Sequence, residues 1–262
     1  MPRRMNLEEP VSRLAAWSWR LALFSLPVTL LAVILLRGDL VELVPGLAIF
    51  GAALVIALLA VLLALGAFVV IWNHGIKGFA RALFAFIIGV ALLAYPAYLG
   101  FKAYRLPAIA DIVTDPYDPP RYEAVARLRT REANPVAYPG PDTAALQRLA
   151  YPELTPMILP ATPAEAYNAV LDVVTRRKWQ IVDARPPQVG RRDGHVEAIA
   201  RTPLFGLRND VVIRVRADGN GSRIDMRSSS RYGRHDLGDN ATLIRKLGID
   251  IQAAVEAQTT KR

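Results

Sequence analysis

The residue types best equipped for chemistry lie together late in the chain, in the run Met226 to Asn240, which reads M-R-S-S-S-R-Y-G-R-H-D-L-G-D-N. Arg227, Arg231 and Arg234 carry guanidinium forks, which hold a phosphate or carboxylate in two-point contacts. Asp236 precedes an expected helix start at Leu237, where free amides attract anions and where its own carboxylate can act as an N-cap. With His235 and Asn240 these residues form the candidate ligand-binding set: Arg227, Arg231, Arg234, His235, Asp236 and Asn240. The competing reading is structural, with the guanidiniums paired to Asp210, Asp225 or Asp239 and their stems covering apolar surface. Ser228, Ser229 and Ser230 beside His235 and Asp236 supply the residue types of a hydrolytic triad. Triad partners are brought together in space, however, and adjacent residues point apart. A metal site from His235, Asp236 and Asp239 lacks a second histidine at helical spacing. The run therefore assigns no catalytic residue, no metal ligand and no cofactor.

The elements around this run read as an α+β domain. Thr162, Pro163 and Glu165 form a capping box with proline at the first helical position, and the helix they open runs to about Lys178. Strands follow at Trp179–Val182, Gly194–Ala200 and Asp210–Arg216. In the last of these Val211, Ile213 and Val215 share one face, while Arg214 and Arg216 share the other. Asp218-Gly219-Asn220-Gly221 is a hairpin turn, and the returning strand sets Ile224 and Met226 against Arg223, Asp225 and Arg227. One face is thus expected to be core and the other wet. A final helix from about Leu237 to Glu256 repeats apolar residues at Ala241, Ile244, Leu247, Ile251 and Val255. The expected architecture is an antiparallel sheet with two covering helices, helix-grip-like, over residues 154–258.

The first 105 residues differ in kind. Uncharged runs at Leu21–Leu36, Val44–Trp72 and Ala82–Phe101 predict three transmembrane helices, the first extended past Arg20 to Ala15 if that arginine snorkels beside Trp17 and Trp19. Arg3, Arg4, Arg13 and Arg20 flank the first span, and Lys77 and Arg81 the loop after the second, so positive-inside reasoning sets the N-terminus in the cytoplasm and the C-terminal domain outside. Lys102 and Arg105 pull the other way. Between the spans and the domain, residues 106–153 form a proline-rich connector with short helices expected at Tyr122–Arg131 and Asp142–Leu149. Asp111, Asp115 and Asp118 are expected in turns and solvent there, in preference to a divalent cation site.

Composition narrows the function classes. The chain has no cysteine, which excludes disulfides, thiolate nucleophiles and Cys-ligated zinc. Its net charge of +9 is spread over both parts, nine basic against four acidic residues through Arg105 and 23 against 19 beyond. Neither part reads as a nucleic-acid arm, and no aromatic and basic residues interleave.

Several segments resemble one known family. They are Ile112 with Thr114 and Asp115, Asp118-Pro119-Pro120, Trp179–Val182, Asn209–Val215, and above all Arg227-Ser228 through Arg231-Tyr232-Gly233-Arg234-His235-Asp236-Leu237-Gly238 with Asn240. These are similar to the DUF1499 family of bacterial proteins of uncharacterised function, over roughly Ala110 to the C-terminus. The three-span segment is similar to the longer, membrane-anchored members. The resemblance implies a bacterial envelope protein and brings no reaction. Two expectations follow. The first is a non-catalytic inner-membrane protein whose periplasmic module binds an anionic or amphipathic envelope ligand, with membrane lipids as partners. The alternative is a structural or assembly component acting through other envelope proteins. An envelope hydrolase stands as a distant third. A cavity lined by Val211, Ile213, Ile224 and Met226 would favour the first, and a filled core with an exposed apolar patch the second.

Overall fold

The computed structural model describes residues 10–188, 190 and 192–259. Arg3 and Arg4, on which part of the orientation expectation rests, lie outside the described residues. The chain divides into two compact units, Met1–Phe101 and Lys102–Arg262.

The first unit consists of long helices: α1 (Arg13–Arg37), α2 (Leu43–His74) and most of α3 (Phe79–Arg105), all three long and apolar enough to cross a membrane. Ser12 opens α1 by accepting the Ala15 amide on its hydroxyl. Small residues such as Ala57, Ala60, Ala64, Ala82 and Ala85 dominate the buried ones, while many leucines and phenylalanines face outward. This inversion suits a surface meeting hydrocarbon, where close backbone approach drives helix packing. Gly89 shows how close: a Cβ there would lie 2.4 Å from the Val61 side chain and 3.0 Å from the Ala57 carbonyl oxygen.

The second unit is built on a six-stranded antiparallel sheet. Its strands are β1 (Asp111–Val113), β2 (Met157–Leu159), β3 (Gln180–Arg185), β4 (Gly194–Arg201), β5 (Arg208–Asp218) and β6 (Gly221–Ser230). They run in the order β1-β6-β5-β4-β3, with β2 also paired to β6. β1 lies against Arg227–Ser229 and β2 against Ser222–Ile224. β5 and β6 are joined by Gly219 and Asn220, and Gly219 takes φ 55°, the positive region that such two-residue turns demand.

One face carries the main core. Val196, Ala198, Val211, Ile213, Val215, Ile224 and Met226 pack against Ala166, Val170 and Val173 of α5 (Pro163–Arg176) and Ile244, Leu247 and Ile251 of α6 (Asp239–Thr259). The capping box at Thr162 and Glu165 is present, with both reciprocal hydrogen bonds made. α6 begins at Asp239, two residues later than expected, because Leu237 and Gly238 both take positive φ and cannot continue a helix.

The opposite face differs from its expected wet state. Tyr122, Val125, Ile199 and Val212 form a second, smaller core on it, with Val136 and Val182 packed alongside. The stretch expected to be a proline-rich connector supplies this cover: β1 joins the sheet, a short 3-10 helix (Val125–Leu128) lies over it, and α4 (Pro141–Ala150) is tied to β1 by Gln147, whose amide donates to the Val113 carbonyl and accepts the Val113 amide. Prolines break regular elements, but they do not prevent irregular chain from packing once its polar groups find partners.

Candidate functional site

The outer face of the sheet is an array of guanidiniums and carboxylates. Asp225, fully buried on β6, receives Arg214 and Arg216 from β5 on one oxygen and Arg223 on the other. Asp210, fully buried on β5, is held between Arg129 on Oδ2 at 2.7 Å and Arg231 on Oδ1 at 2.8 Å. Asp111 on β1 takes Arg227 in a two-point pair at 3.0 and 2.7 Å. The Arg227 guanidinium also donates to the carbonyls of Pro120 and Val136 and stacks 4.5 Å from the Tyr122 ring centre. Asp115 pairs with Arg223, and Asp118 with Arg214 and Arg216. Asp115 also accepts the amides of Tyr117 and Asp118, so its turn role is present together with an ionic one.

The candidate ligand residues therefore separate into two groups. Arg227 and Arg231 are buried and fully engaged by Asp111 and Asp210. Asn240 is buried, accepting the Ser228 hydroxyl at 2.6 Å and donating to Ser230 and the Ala110 carbonyl. Asp236 is buried with its carboxylate accepting the amides of Gly238 and Asn240, as a cap just ahead of α6. Burial pushes its carboxyl above the usual range, against those amide donors. His235 accepts the Leu237 amide on Nδ1, which leaves Nε2–H facing the Ala103 and Leu106 carbonyl oxygens of the same unit at 3.2 Å each. Arg234 is exposed and has no hydrogen bond or ion pair among the described residues. Ser228 is bonded to Asn240 and Ser229 to Arg129, so neither meets His235 as a nucleophile meets its base. The serines of the R-S-S-S-R run close the fold.

Glu197, which sequence reasoning passed over, has a comparable role. Fully buried on β4, it accepts the amides of Glu123 at 2.7 Å, Ala124 at 3.2 Å and Val125 at 2.8 Å, satisfying the free N–H groups at the start of the 3-10 helix. His195 Nε2 lies 2.8 Å from the same carboxylate. Burial raises the Glu197 carboxyl, but His195 and the three amides outweigh it and hold it below the usual range. Asp183, His195 and Glu197 have ligand atoms within 4.8 Å of one another, a spacing that suits a cation. Protein donors already occupy the set, since Arg185 binds Asp183 at 2.7 Å and the amides fill both oxygens of Glu197. The visible signal was a glutamate and a histidine alternating outward in an otherwise apolar strand.

Open space lies at the β3–β4 end of the sheet. An apolar cleft of about 610 Å³ is walled by Pro163 and Ala164 at the start of α5, Pro187 after β3, and Val215 and Ala217 of β5. A polar cleft of about 330 Å³ on the outer face is lined by Arg121, Arg185, Arg192, Arg214 and His195, facing Asp118, Glu123 and Asp193. Arg192 and Asp193 line both. No periodicity marks these positions, most of which sit in turns or at strand ends. The region expected to hold a cavity, between Val211, Ile213, Ile224, Met226 and α6, is packed core.

These features define an α+β domain with an internally neutralised polar face, following three long apolar helices. The family model described as "Protein of unknown function (DUF1499)" matches residues 111–250, and the chain belongs to that family. Among solved structures, it is similar to "Crystal structure of Ara h 8.0201" at 14% identity, covering 41% of this chain and 95% of that one with a TM-score of 0.26. It is also similar to the crystal structure of TTHA0849 from Thermus thermophilus at 13% identity, covering 40% and 96% with a TM-score of 0.21. A search of the curated proteins finds no match.

The ion pairs can be tested directly. Replacing Arg227 by methionine strands Asp111 without its counter-charge and should cost about 3–5 kcal/mol. The Asp111→Asn plus Arg227→Met double variant should recover much of that loss, read beside both single variants as denaturant midpoints of the purified chain; a double loss equal to the sum of the two single losses would show the pair to be uncoupled. A carboxyl held below its ordinary value stabilises the fold above the unfolded-state value of about 4.3, and that contribution is lost as pH falls through the folded-state value. Glu197→Gln should therefore lower stability at neutral pH and flatten its decline below about pH 4.3 relative to wild type.

Proposed function

We propose that this chain is a membrane-anchored, non-catalytic binding module of the bacterial cell envelope, carrying its α+β domain on the periplasmic side of the inner membrane. The domain holds an amphipathic ligand in the apolar cleft at the β3–β4 end of the sheet. That cleft is the observation carrying the reading: at about 610 Å³ it falls within the range of small-molecule sites, and its lining is mostly apolar, with Arg192 and Asp193 as its charged members. The arrangement is helix-grip-like in that a long last helix lies across a sheet, but its centre is filled, so the ligand site moves to the end where α5 begins. The residues first expected to bind, Arg227 and Arg231, are committed to Asp111 and Asp210 and serve the fold. Membrane anchoring draws on the three apolar helices, and orientation on Lys77, Arg81, Arg13 and Arg20.

A second reading, assembly through protein partners, has its own observation. Leu146 and Leu149 stand one helical turn apart on α4 and are both exposed, Leu149 at 84%.

Ala217 is exposed at the cleft wall, so Ala217→Trp fills the space without entering the core. Native mass spectrometry of the full chain should show a co-purifying amphiphile in wild type that is absent from this variant. A ligand retained in both would place it elsewhere, and none in either would move the reading to the α4 face. For orientation, a reporter active only outside the cytoplasm should be active when joined after Arg262; activity of a cytoplasm-dependent reporter at the same position would reverse the topology.

A further inference from the structure

The apolar cleft shares Arg192 and Asp193 with a second, polar one, and the charges there are unequal in their freedom. Of the arginines lining the polar cleft, Arg185 is held by Asp183 and Glu123, and Arg214 by Asp225 and Asp118. Arg121 and Arg192 are exposed and, among the described residues, have no hydrogen bond or ion pair from their side chains. The acids are mostly spent: Asp118 and Glu123 belong to the pairs just named, and among the described acidic lining residues Asp193 alone is unpaired. Among the described lining residues, two free guanidiniums therefore accompany one free carboxylate, beside a sheet face whose buried carboxylates are matched within the fold. Arg192 also lines the apolar cleft, so a ligand lying against Val215 and Ala217 has a cation at the end of its hydrophobic seat.

We propose that Arg121 and Arg192 bind the phosphoryl head of an amphiphile whose hydrocarbon part lies in the apolar cleft. This rests on the ligand reading of that cleft and adds the chemical class of the head. A phosphate monoester dianion suits the site because each guanidinium offers a two-donor fork to a pair of its oxygens, and because two positive charges outweigh the residual repulsion of Asp193. A sugar head offers the guanidiniums no anion, and a zwitterionic head offers a phosphodiester of single charge already accompanied by its own cation. The head could be part of a lipid or a free phosphate passing through, and the two differ in whether the chain contributes to binding.

The absence of cysteine allows a single reporter thiol to be placed without background labelling. Gln188 is exposed and lines the apolar cleft, so the full chain carrying Gln188→Cys, labelled with an environment-sensitive fluorophore and held in nanodiscs of zwitterionic lipid, reports occupancy directly. Three probes are titrated: octyl phosphate below its micelle concentration, octanol, and inorganic phosphate. Octyl phosphate should bind at least tenfold tighter than octanol. Arg121→Ala and Arg192→Ala should each remove about tenfold of that advantage without changing octanol binding, as expected for a lost charge-assisted contact. Asp193→Asn should tighten octyl phosphate alone, and Ala217→Trp should weaken both organic probes. Equal affinity for octanol and octyl phosphate, unmoved by the arginine variants, would overturn the head site while leaving the apolar cleft intact as a binding site. Inorganic phosphate binding as tightly as octyl phosphate would overturn the amphiphile and leave a free-phosphate site. No response to either organic probe would remove the cleft reading and the head site with it.

Discussion

The α+β domain depends on the neutralisation of carboxylates that lie at or beneath the outer face of its sheet. Asp210 and Asp225 are fully buried, and an ionised carboxylate in such a position is tolerated only with a counter-charge in good geometry. Each has at least two guanidiniums, drawn from β5, β6 and the residues that immediately follow β6 and the 3-10 helix. Asp111 completes the pattern by taking Arg227, 116 positions away, and so fixes where the chain leaving α3 must run. Once these pairs form, the irregular segment from Asp115 to Tyr138 has a defined path, and the apolar side chains of Tyr122 and Val125 cover what would otherwise be wet sheet.

This explains why the most polar run in the chain contributes so little free chemistry. Its buried arginines, serines, aspartate and asparagine each meet a partner whose loss would leave a buried polar group exposed to no water. Outside that run, side chains with unspent bonding capacity include Arg121, Arg192 and Asp193, which line the polar cleft where strands end and turns begin. The sheet beside these exposed groups carries buried ion pairs, so their surroundings are held by side chains already engaged within the fold.

Much of the architecture was legible because it is periodic. The three apolar runs, the Thr162 capping box, the alternation in β5 and β6 and the apolar stripe of α6 all follow from local spacing, and the structure has them within a few residues. What stayed hidden was the pairing of Asp111, Asp115 and Asp118 with arginines about a hundred positions later, since an ion pair between distant segments leaves no repeat in either. Prolines between Leu106 and Pro160 made that stretch look like spacer, and β1 is three residues long, below the length at which alternation can be seen. In the candidate set, the cap function of Asp236 was foreseeable from its place ahead of a helix and the pairing of Arg231 with Asp210 stood among the structural alternatives, whereas Asp111 as the partner of Arg227 did not. The clefts depend on how turns from several elements converge, which no single stretch encodes.

The central place of β6 has a consequence for how the chain is made. β6 pairs with β1, β2 and β5, and α6 follows it, so the strand that joins the two ends of the domain leaves the ribosome after every other strand of the sheet. Until then β1 and β2 have no sheet to join, and the apolar faces of α5, β4 and β5 lack α6 as a lid. Closure waits on long-range contacts whose loop entropy must be met before they stabilise anything. A nascent chain stalled before Gly221 thus carries an open sheet edge and an uncovered core, which makes the interval before β6 and α6 emerge the one in which a folding helper has most to protect.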